Sequence, residues 1–487
     1  MFRRQSETIT VAPQGLNWTR EQFIDFRSHL GVVVGPVAAC FIWLMPLALE
    51  PLQQKAIAIV VFMVIYWVSE SVDHAVTALI GCYLFWALGV TKFSTAFSGF
   101  ASATPWFLFG GALMAEAATH TGLAKRLGYR VLCAAGTSYY RLLFGIVTLS
   151  LLAAPLVPSA TARIAIIAPL LVGILSAVHS KNESNIARGS FLALTMMSML
   201  IDKMILAGAT PVLAQGIIRE HTGVEVLWGH WFIAFLPATL MTSCAVVFAA
   251  RWLFPATNAE MPDGKRYLLD ERLKLGPVSP QEKRVLILLS TAIVLWATDY
   301  IHHLEPTVIA LGAGLALVLP KIGVLDTHAV KRVNFLVIIF SAGALSMASV
   351  LAEAKSLETI NDFLAAHVAP WLSNGLLASV SLYWGGVLYH FIFPNNQSLL
   401  STSLPLLLSV CKDLPYNPAA VGLIWQYATG GTLFAYQSSI LVMGYSYGYF
   451  DSHDLLKYGA VLAVIQGLIL MLIVPLYWPL VGLAWIK

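Results

Sequence analysis

Pro158-Ser159-Ala160-Thr161-Ala162-Arg163 lies between two apolar runs, Leu142 to Val157 and Ile164 to Val178. A run that stops at Pro, offers two hydroxyls and then resumes predicts two helix halves meeting at a break, with backbone groups left free there. A second stretch repeats the plan, where Pro394-Asn395-Asn396-Gln397-Ser398 interrupts another apolar segment. In both, ten residues separate the Pro from a Pro-Leu-Leu, at Pro169-Leu170-Leu171 and Pro405-Leu406-Leu407. The chemistry these residues offer is anion binding. A free helix N-terminus favours an anion by roughly 0.3 to 1 kcal/mol when exposed and up to about 2 when partly buried. Ser159 and Thr161 add hydroxyl donors, and Asn395, Asn396 and Gln397 add amides of longer reach. Capping alone would explain the hydroxyls of one tip. Two matched breaks favour a binding site suited to a molecule with two anionic ends, in an apolar surrounding where free backbone groups must be satisfied by protein or by a watered cavity.

Charge in the wrong place is the second signal. Asp202 and Lys203 sit near the middle of the apolar stretch Phe191 to Ile218, just ahead of the breaker cluster Ala207-Gly208-Ala209-Thr210-Pro211. A charge at that depth costs about 2.5 to 3.5 kcal/mol on insertion scales and is a functional candidate by default. Lys203 is expected to supply fixed positive charge near the first tip; the alternative is that the pair marks the end of a shifted span. Arg163, four residues after Ser159, is expected to orient the tip or to face a ligand. A second broken helix is expected at Tyr427-Ala428-Thr429-Gly430-Gly431-Thr432, so Thr210 and Thr429 join the candidate ligand-binding residues. His120 and His390, each solitary among apolar residues, are expected to be packed or hydrogen-bonded rather than proton relays. Trp43, Trp67, Trp231 and Trp478 are expected to be interfacial anchors.

The elements that must position these groups follow from composition. Of 487 residues, 58% are hydrophobic and 11% charged, and the mean hydropathy is +0.76. This predicts an all-α polytopic membrane protein with about ten to twelve spans. Residues 1–28 are polar and carry Arg3, Arg4, Arg20 and Arg27, which places the tail in the cytoplasm. Thr121 to Leu127 is amphipathic and basic, as expected of a helix on the cytoplasmic membrane surface. The five cysteines lack paired or metal-type spacing and read as small core residues. A net charge of +4 gives nucleic acid no purchase. The organisation expected is residues 1–53 as tail and first span, 54–254 as a first repeat with a hairpin around 139–178, 255–284 as a cytoplasmic linker, and 285–487 as a second repeat with a hairpin around 370–412. Phe340-Ser341-Ala342-Gly343-Ala344-Leu345 echoes Phe109 to Met114 at an offset of about 231, and the Pro-to-Pro element recurs at about 236. An odd number of spans per half requires the second copy to be inverted.

These residues resemble the divalent anion:sodium symporter family of di- and tricarboxylate transporters, from about residue 50 to the end. The family carries Ser-Asn-Thr at each of two hairpin tips, and Ser159-Ala160-Thr161 and Asn395-Asn396-Gln397 stand in those places. Pro158 to Arg163 keeps all but the Asn of the Pro-Ser-Asn-Thr-Ala-Arg typical of the citrate/succinate antiporter and plastid 2-oxoglutarate/malate translocator branch. The resemblance implies eleven spans, two re-entrant hairpins, a homodimer and an elevator-type motion in the cell (inner) membrane. It also implies sodium at each tip. Here Ala160 replaces an Asn whose amide oxygen helps hold the first ion, and Lys203 and Arg163 are the candidate charge surrogates for it. Asn396, with Thr429 and Gly430, retains the means for a second. No other cofactor is implied.

The expected function is therefore secondary transport of small organic anions such as succinate, malate, 2-oxoglutarate or citrate, by exchange or sodium-coupled symport. A carrier for sulfate or a sulfonate is the alternative that the altered tips permit. A membrane enzyme would need a convergent nucleophile and base or a metal cluster, and no such constellation is visible. Duplicated broken helices without a sensory domain argue against a channel or sensor.

Overall fold

The computed structural model describes residues 20–47, 49–136, 138–177, 184–256, 262–356, 375–393, 395–411 and 414–486, backbone only for 20–25, 262 and 376. Pro394 and parts of the expected tail, linker and second hairpin lie outside the described residues. The chain forms two units, residues 1–101 with 339–360, and residues 102–338 with 361–487.

In the first unit, α1 (Arg20–Leu44) packs on α2 (Pro51–Ser69), and α2 on α3 (His74–Ala87). Glu70 ends α2 in the left-handed conformation and pairs with Arg27, and the Asp73 carboxylate caps α3 by accepting from the Ala75 N–H at 2.8 Å. After the short α4 (Phe93–Ala96), the chain meets the greater part of α17 (Phe335–Glu353), where the Ser346 hydroxyl accepts from the Gly99 N–H at 2.9 Å. Gly343 of α17 faces Ala78 of α3 so closely that a Cβ there would lie 2.6 Å from the Ala78 methyl.

The second unit holds α5 (Ala103–His120), α6 (Leu123–Ala135), α7 (Tyr139–Ala153), α8 (Ala160–Ala177), α9 (Asn185–Met204), α10 (Ala209–Thr222), α11 (Trp228–Leu253) and α12 (Pro262–Lys274). It continues with α13 (Pro280–Ala297), α14 (Asp299–His302), α15 (Pro306–Ala316) and α16 (Thr327–Lys331). It closes with α18 (Gly375–Tyr389), α19 (Asn396–Val410), α20 (Pro418–Ala428), α21 (Ser439–Ser446) and α22 (Ser452–Leu476). Gly110 lets α5 touch α15, because a Cβ there would sit 2.4 Å from the Ala310 carbonyl oxygen. The packing is reciprocal in sequence: α8 rests on α21, and α19 on α10.

Seven described helical segments are long and apolar enough to cross a membrane, one of them the 38-residue stretch Asn185–Thr222, and four shorter apolar helices accompany them. Leu468, Leu472 and Leu476 stand exposed one turn apart on α22, and Leu240, Phe248 and Trp252 are exposed on α11, as suits faces turned toward lipid. The polar stretch expected as a bare linker forms α12, packed on α6 and α8.

Three expectations are corrected. Trp67, Trp231 and Trp478 are fully buried rather than interfacial, since indoles packed inside can satisfy their N–H on protein carbonyls: Trp67 donates to His74 O at 3.1 Å and Trp478 to Ala234 O at 3.0 Å. Trp43 is exposed. Cys82 and Cys411 are core residues, but Cys40 and Cys244 are exposed on helix faces, where a small apolar thiol suits lipid as well as protein. His120 is exposed at the end of α5 rather than packed, because that helix end reaches the surface of its unit.

Candidate functional site

The first tip is the turn between α7 and α8. Ser159 precedes α8 and accepts from the Ala162 N–H at 3.3 Å, an N-cap geometry, with the Thr161 hydroxyl 3.1 Å from its own. Ser159 and Thr161 are half-buried and Ala160 is buried, so a methyl group takes the place of any amide ligand at that position. Arg163 is 1% exposed and serves the tip from within. It donates to Val157 O at 2.9 Å, to Ser198 O at 2.9 Å and to Asp202 Oδ1 at 3.5 Å, fastening the tip to α9. These bonds engage both terminal nitrogens of the guanidinium, while its Nε has no partner among the described residues.

Asp202 and Lys203 occupy the last turn of α9, at a break over residues 205–208 that separates it from α10. The Asp202 carboxylate lies against Gly208, where a Cβ would approach Oδ1 to 2.1 Å, so only glycine admits the carboxylate there. Lys203 is 1% exposed and its Nζ has no hydrogen-bond partner among the described residues. Its charge reaches both Asp202 and His390, the latter at the end of α18 just ahead of the second tip. Thr210, in the first turn of α10, is buried.

At the second tip Asn395 is the N-cap of α19, its side chain accepting from the Gln397 N–H at 2.7 Å. Asn396, Gln397 and Ser398 are buried, and Asn396 Oδ1, Gln397 Nε2 and Ser398 Oγ have no partner among the described residues. An unpartnered acceptor beside an unpartnered donor is costly unless a ligand completes it. Behind this tip, His390 and Gln437 exchange bonds: Gln437 Nε2 donates to His390 O at 3.2 Å, and His390 Nε2 lies 3.1 Å from Gln437 O. A carbonyl only accepts, so Nε2 carries the proton. Gln437 Oε1 also accepts from the N–H groups of Leu433 at 2.7 Å and Phe434 at 2.8 Å, stabilising the break between α20 and α21. Thr429, in that break, donates to Gln426 O at 2.7 Å, which leaves its lone pairs free, and the Gly430 N–H is bound to Tyr427 O.

Two further residues escaped the sequence reading. Gln426 and Gln466 are fully buried, and neither amide has a partner among the described residues. Gln466 Oε1 lies beside Gly430, 3.4 Å from where a Cβ would stand. Each is an amide inside an apolar run, the same signal that marked Lys203.

A buried cation, two capped tips and uncompleted amides around two helix breaks make an arrangement able to exchange the hydration of an anion for protein donors. A model of the family described as the sodium:sulfate symporter transmembrane region matches residues 27–484. The chain belongs to this family. Among its relatives, the citrate/succinate antiporter of Escherichia coli K12 is 24% identical over 399 residues, covering 79% of this chain and 80% of that protein. The L-tartrate/succinate antiporter of the same strain is 22% identical over 490 residues, covering 96% and 95%. The crystal structure of the Alcanivorax borkumensis YdaH transporter shares the fold, with a TM-score of 0.54, 13% identity and coverage of 94% of this chain and 98% of that one. This family member is thus an integral membrane transporter, as the divalent-anion resemblance of its tips predicted.

Proposed function

We propose that the chain carries small di- or tricarboxylates across the cell membrane by exchange, binding them between the two tips with Lys203 as fixed counter-charge. The observation that carries this reading is Lys203, a buried ammonium without a hydrogen bond among the described residues, next in the chain to Asp202, which Arg163 ties to the first tip. Such a cation is sustained when an anion completes it. Ser159, Thr161, Thr210 and Gln397 then supply donors, and the names of the two antiporter relatives favour a carboxylate.

Asn396 Oδ1 is unpartnered and the Thr429 hydroxyl oxygen can still accept, so this side fits a sodium ion held with Gly430; the first tip, with Ala160, does not. A sodium ion there would supply positive charge to the carboxylate. The sequence-reciprocal contacts, α8 with α21 and α19 with α10, support an inverted duplication, and with it the repeat boundaries 54–254 and 285–487. Elevator motion, a homodimer and a cytoplasmic N-terminus complete the reading.

The test is uptake of labelled succinate and citrate into proteoliposomes, with and without a sodium gradient and with and without unlabelled anion inside. Uptake that needs internal anion and proceeds without a sodium gradient is the expected result. Sodium-driven uptake into empty vesicles refutes exchange, and carboxylate-insensitive uptake of sulfate refutes the substrate class.

A further inference from the structure

Away from the tips, α6, α12 and the turn after α12 form an open pocket of about 460 Å³ lined by Arg126, Arg130 and Arg272 with Leu269 and Leu273. Among the described residues no carboxylate lines it. Arg126 is fully engaged, bidentate on Glu282 at 2.7 and 3.0 Å and bonded to the carbonyls of Leu275, Gly276 and Pro277. Glu271 is turned to Lys274 at 2.6 Å and to the Tyr129 hydroxyl. Arg130 and Arg272 are exposed and form no ion pair among the described residues; Arg272 lies beside the Cys133 thiol. Next to these guanidiniums, Leu269 and Leu273 stand one turn apart, 41% and 78% exposed.

We propose that this cavity binds an anionic phospholipid of the cytoplasmic leaflet, Arg130 and Arg272 holding the phosphate and Leu269 and Leu273 meeting the acyl chains. Two guanidiniums without acidic partners match a phosphodiester in charge and geometry. The exposed leucines beside them decide for a lipid over a free phosphate, which has no use for apolar surface. The basic, amphipathic α6 and the charged α12 suit the membrane surface on which such a headgroup lies. The site also touches the transport elements: α12 packs on α8, where Gly173 accommodates the Tyr267 ring so tightly that a Cβ would sit 2.0 Å from its hydroxyl. A lipid bridging α6 and α12 therefore steadies the second arm of the first hairpin. This inference rests on the membrane-transporter assignment but not on the substrate.

The experiment is native mass spectrometry of the full chain delipidated in detergent and titrated with phosphatidylglycerol or phosphatidylcholine. Wild type is expected to retain phosphatidylglycerol preferentially, and Arg130→Gln/Arg272→Gln to lose retention roughly 25-fold, about fivefold per arginine. Arg130→Lys/Arg272→Lys, which keeps the charge, is expected to keep most of it. Equal retention of both lipids by wild type, or undiminished phosphatidylglycerol binding by the double Gln variant at an unchanged melting temperature, overturns the proposal. Displacement of the lipid by millimolar glycerol phosphate overturns it in favour of a soluble phosphate site. Lipid retention is read without transport, so an inactive carrier that still selects phosphatidylglycerol separates this inference from the proposed function.

Discussion

Replacing Lys203 by Met keeps the length of the stem and removes the charge. The structure sets two effects against each other. Without a hydrogen bond, the buried ammonium contributes little to folding and bears a desolvation cost of several kcal/mol, while Asp202 keeps Arg163 as its partner. The apo protein is therefore expected to be as stable as wild type or more so. Anion binding should move the other way. A unit charge 4 to 6 Å from a carboxylate, at an effective dielectric constant of about 20, is worth about 3 to 4 kcal/mol. Its loss weakens affinity by two to three orders of magnitude, at about 1.4 kcal/mol per tenfold. The assay pairs ligand-induced thermal shift with counterflow of labelled succinate, and Lys203→Arg should recover part of both. Affinity within about threefold of wild type in Lys203→Met refutes the reasoning, as does a parallel fall in apo stability, which would make Lys203 structural.

Four other outcomes are expected. Arg163→Ala strands Asp202 and frees the Val157 carbonyl, for a loss of about 3 to 5 kcal/mol in thermal or denaturant unfolding, and adding Asp202→Asn should return at least about 1 kcal/mol in a double-mutant cycle. Gly208→Ala drives a methyl into the Asp202 carboxylate and should cost about 1 to 3 kcal/mol, seen as a lower melting temperature that Asp202→Ala relieves. Gln437→Ala leaves the Leu433 and Phe434 N–H groups and the His390 carbonyl without their partner, at about 1 to 3 kcal/mol for each group that stays buried, measured by the same unfolding assay. Glu282, ahead of the apolar run that begins at Val285, is subject to burial that would raise its pKa, but the bonds from Arg126 and from Ser279 override burial and hold it below the ordinary value of 4.5. A depressed carboxyl contributes stability that is complete above the unfolded pKa and lost as pH falls through the folded one. The stability gap between wild type and Glu282→Gln should thus be widest near about pH 6 and close progressively below 4.5, as followed by melting temperature against pH.

Much of the architecture was legible because lipid tolerates so little. Pro158, Asp202, Lys203 and the Gly-Thr clusters at 207–211 and 427–432 stand out from apolar runs, and the breaks at 205–208 and between α20 and α21 lie at or beside them. The partners were not legible. An orienting role for Arg163 could be read in sequence but its acceptors could not, since Ser198 O and Asp202 lie 35 and 39 residues away and two of its three acceptors are backbone. His390 and Gln437 exchange bonds across 47 residues, a pairing no local pattern encodes. The indoles of Trp67, Trp231 and Trp478 misled because aromatic residues at span ends serve lipid interfaces and protein interiors equally well, and only tertiary packing decides. Gln426 and Gln466 carried the same signal as Lys203, a polar group where hydrocarbon was expected, and the deciding information was there in one letter each.

The two fastenings behind the tips differ in kind, and the difference has a mechanical consequence. Lifting the first tip from α9 forfeits Arg163's charge-assisted bonds to Ser198 O and Asp202, each worth about 1.5 to 3 kcal/mol. Parting the second from the break behind it forfeits the two neutral bonds between His390 and Gln437, each about 0.5 to 1.5. Halves that share a plan are thus unequal in compliance. If either tip flexes independently, the second does so more readily, by on the order of tenfold in population, and a spin label pair across each fastening should find the broader distance distribution at the amide-imidazole side.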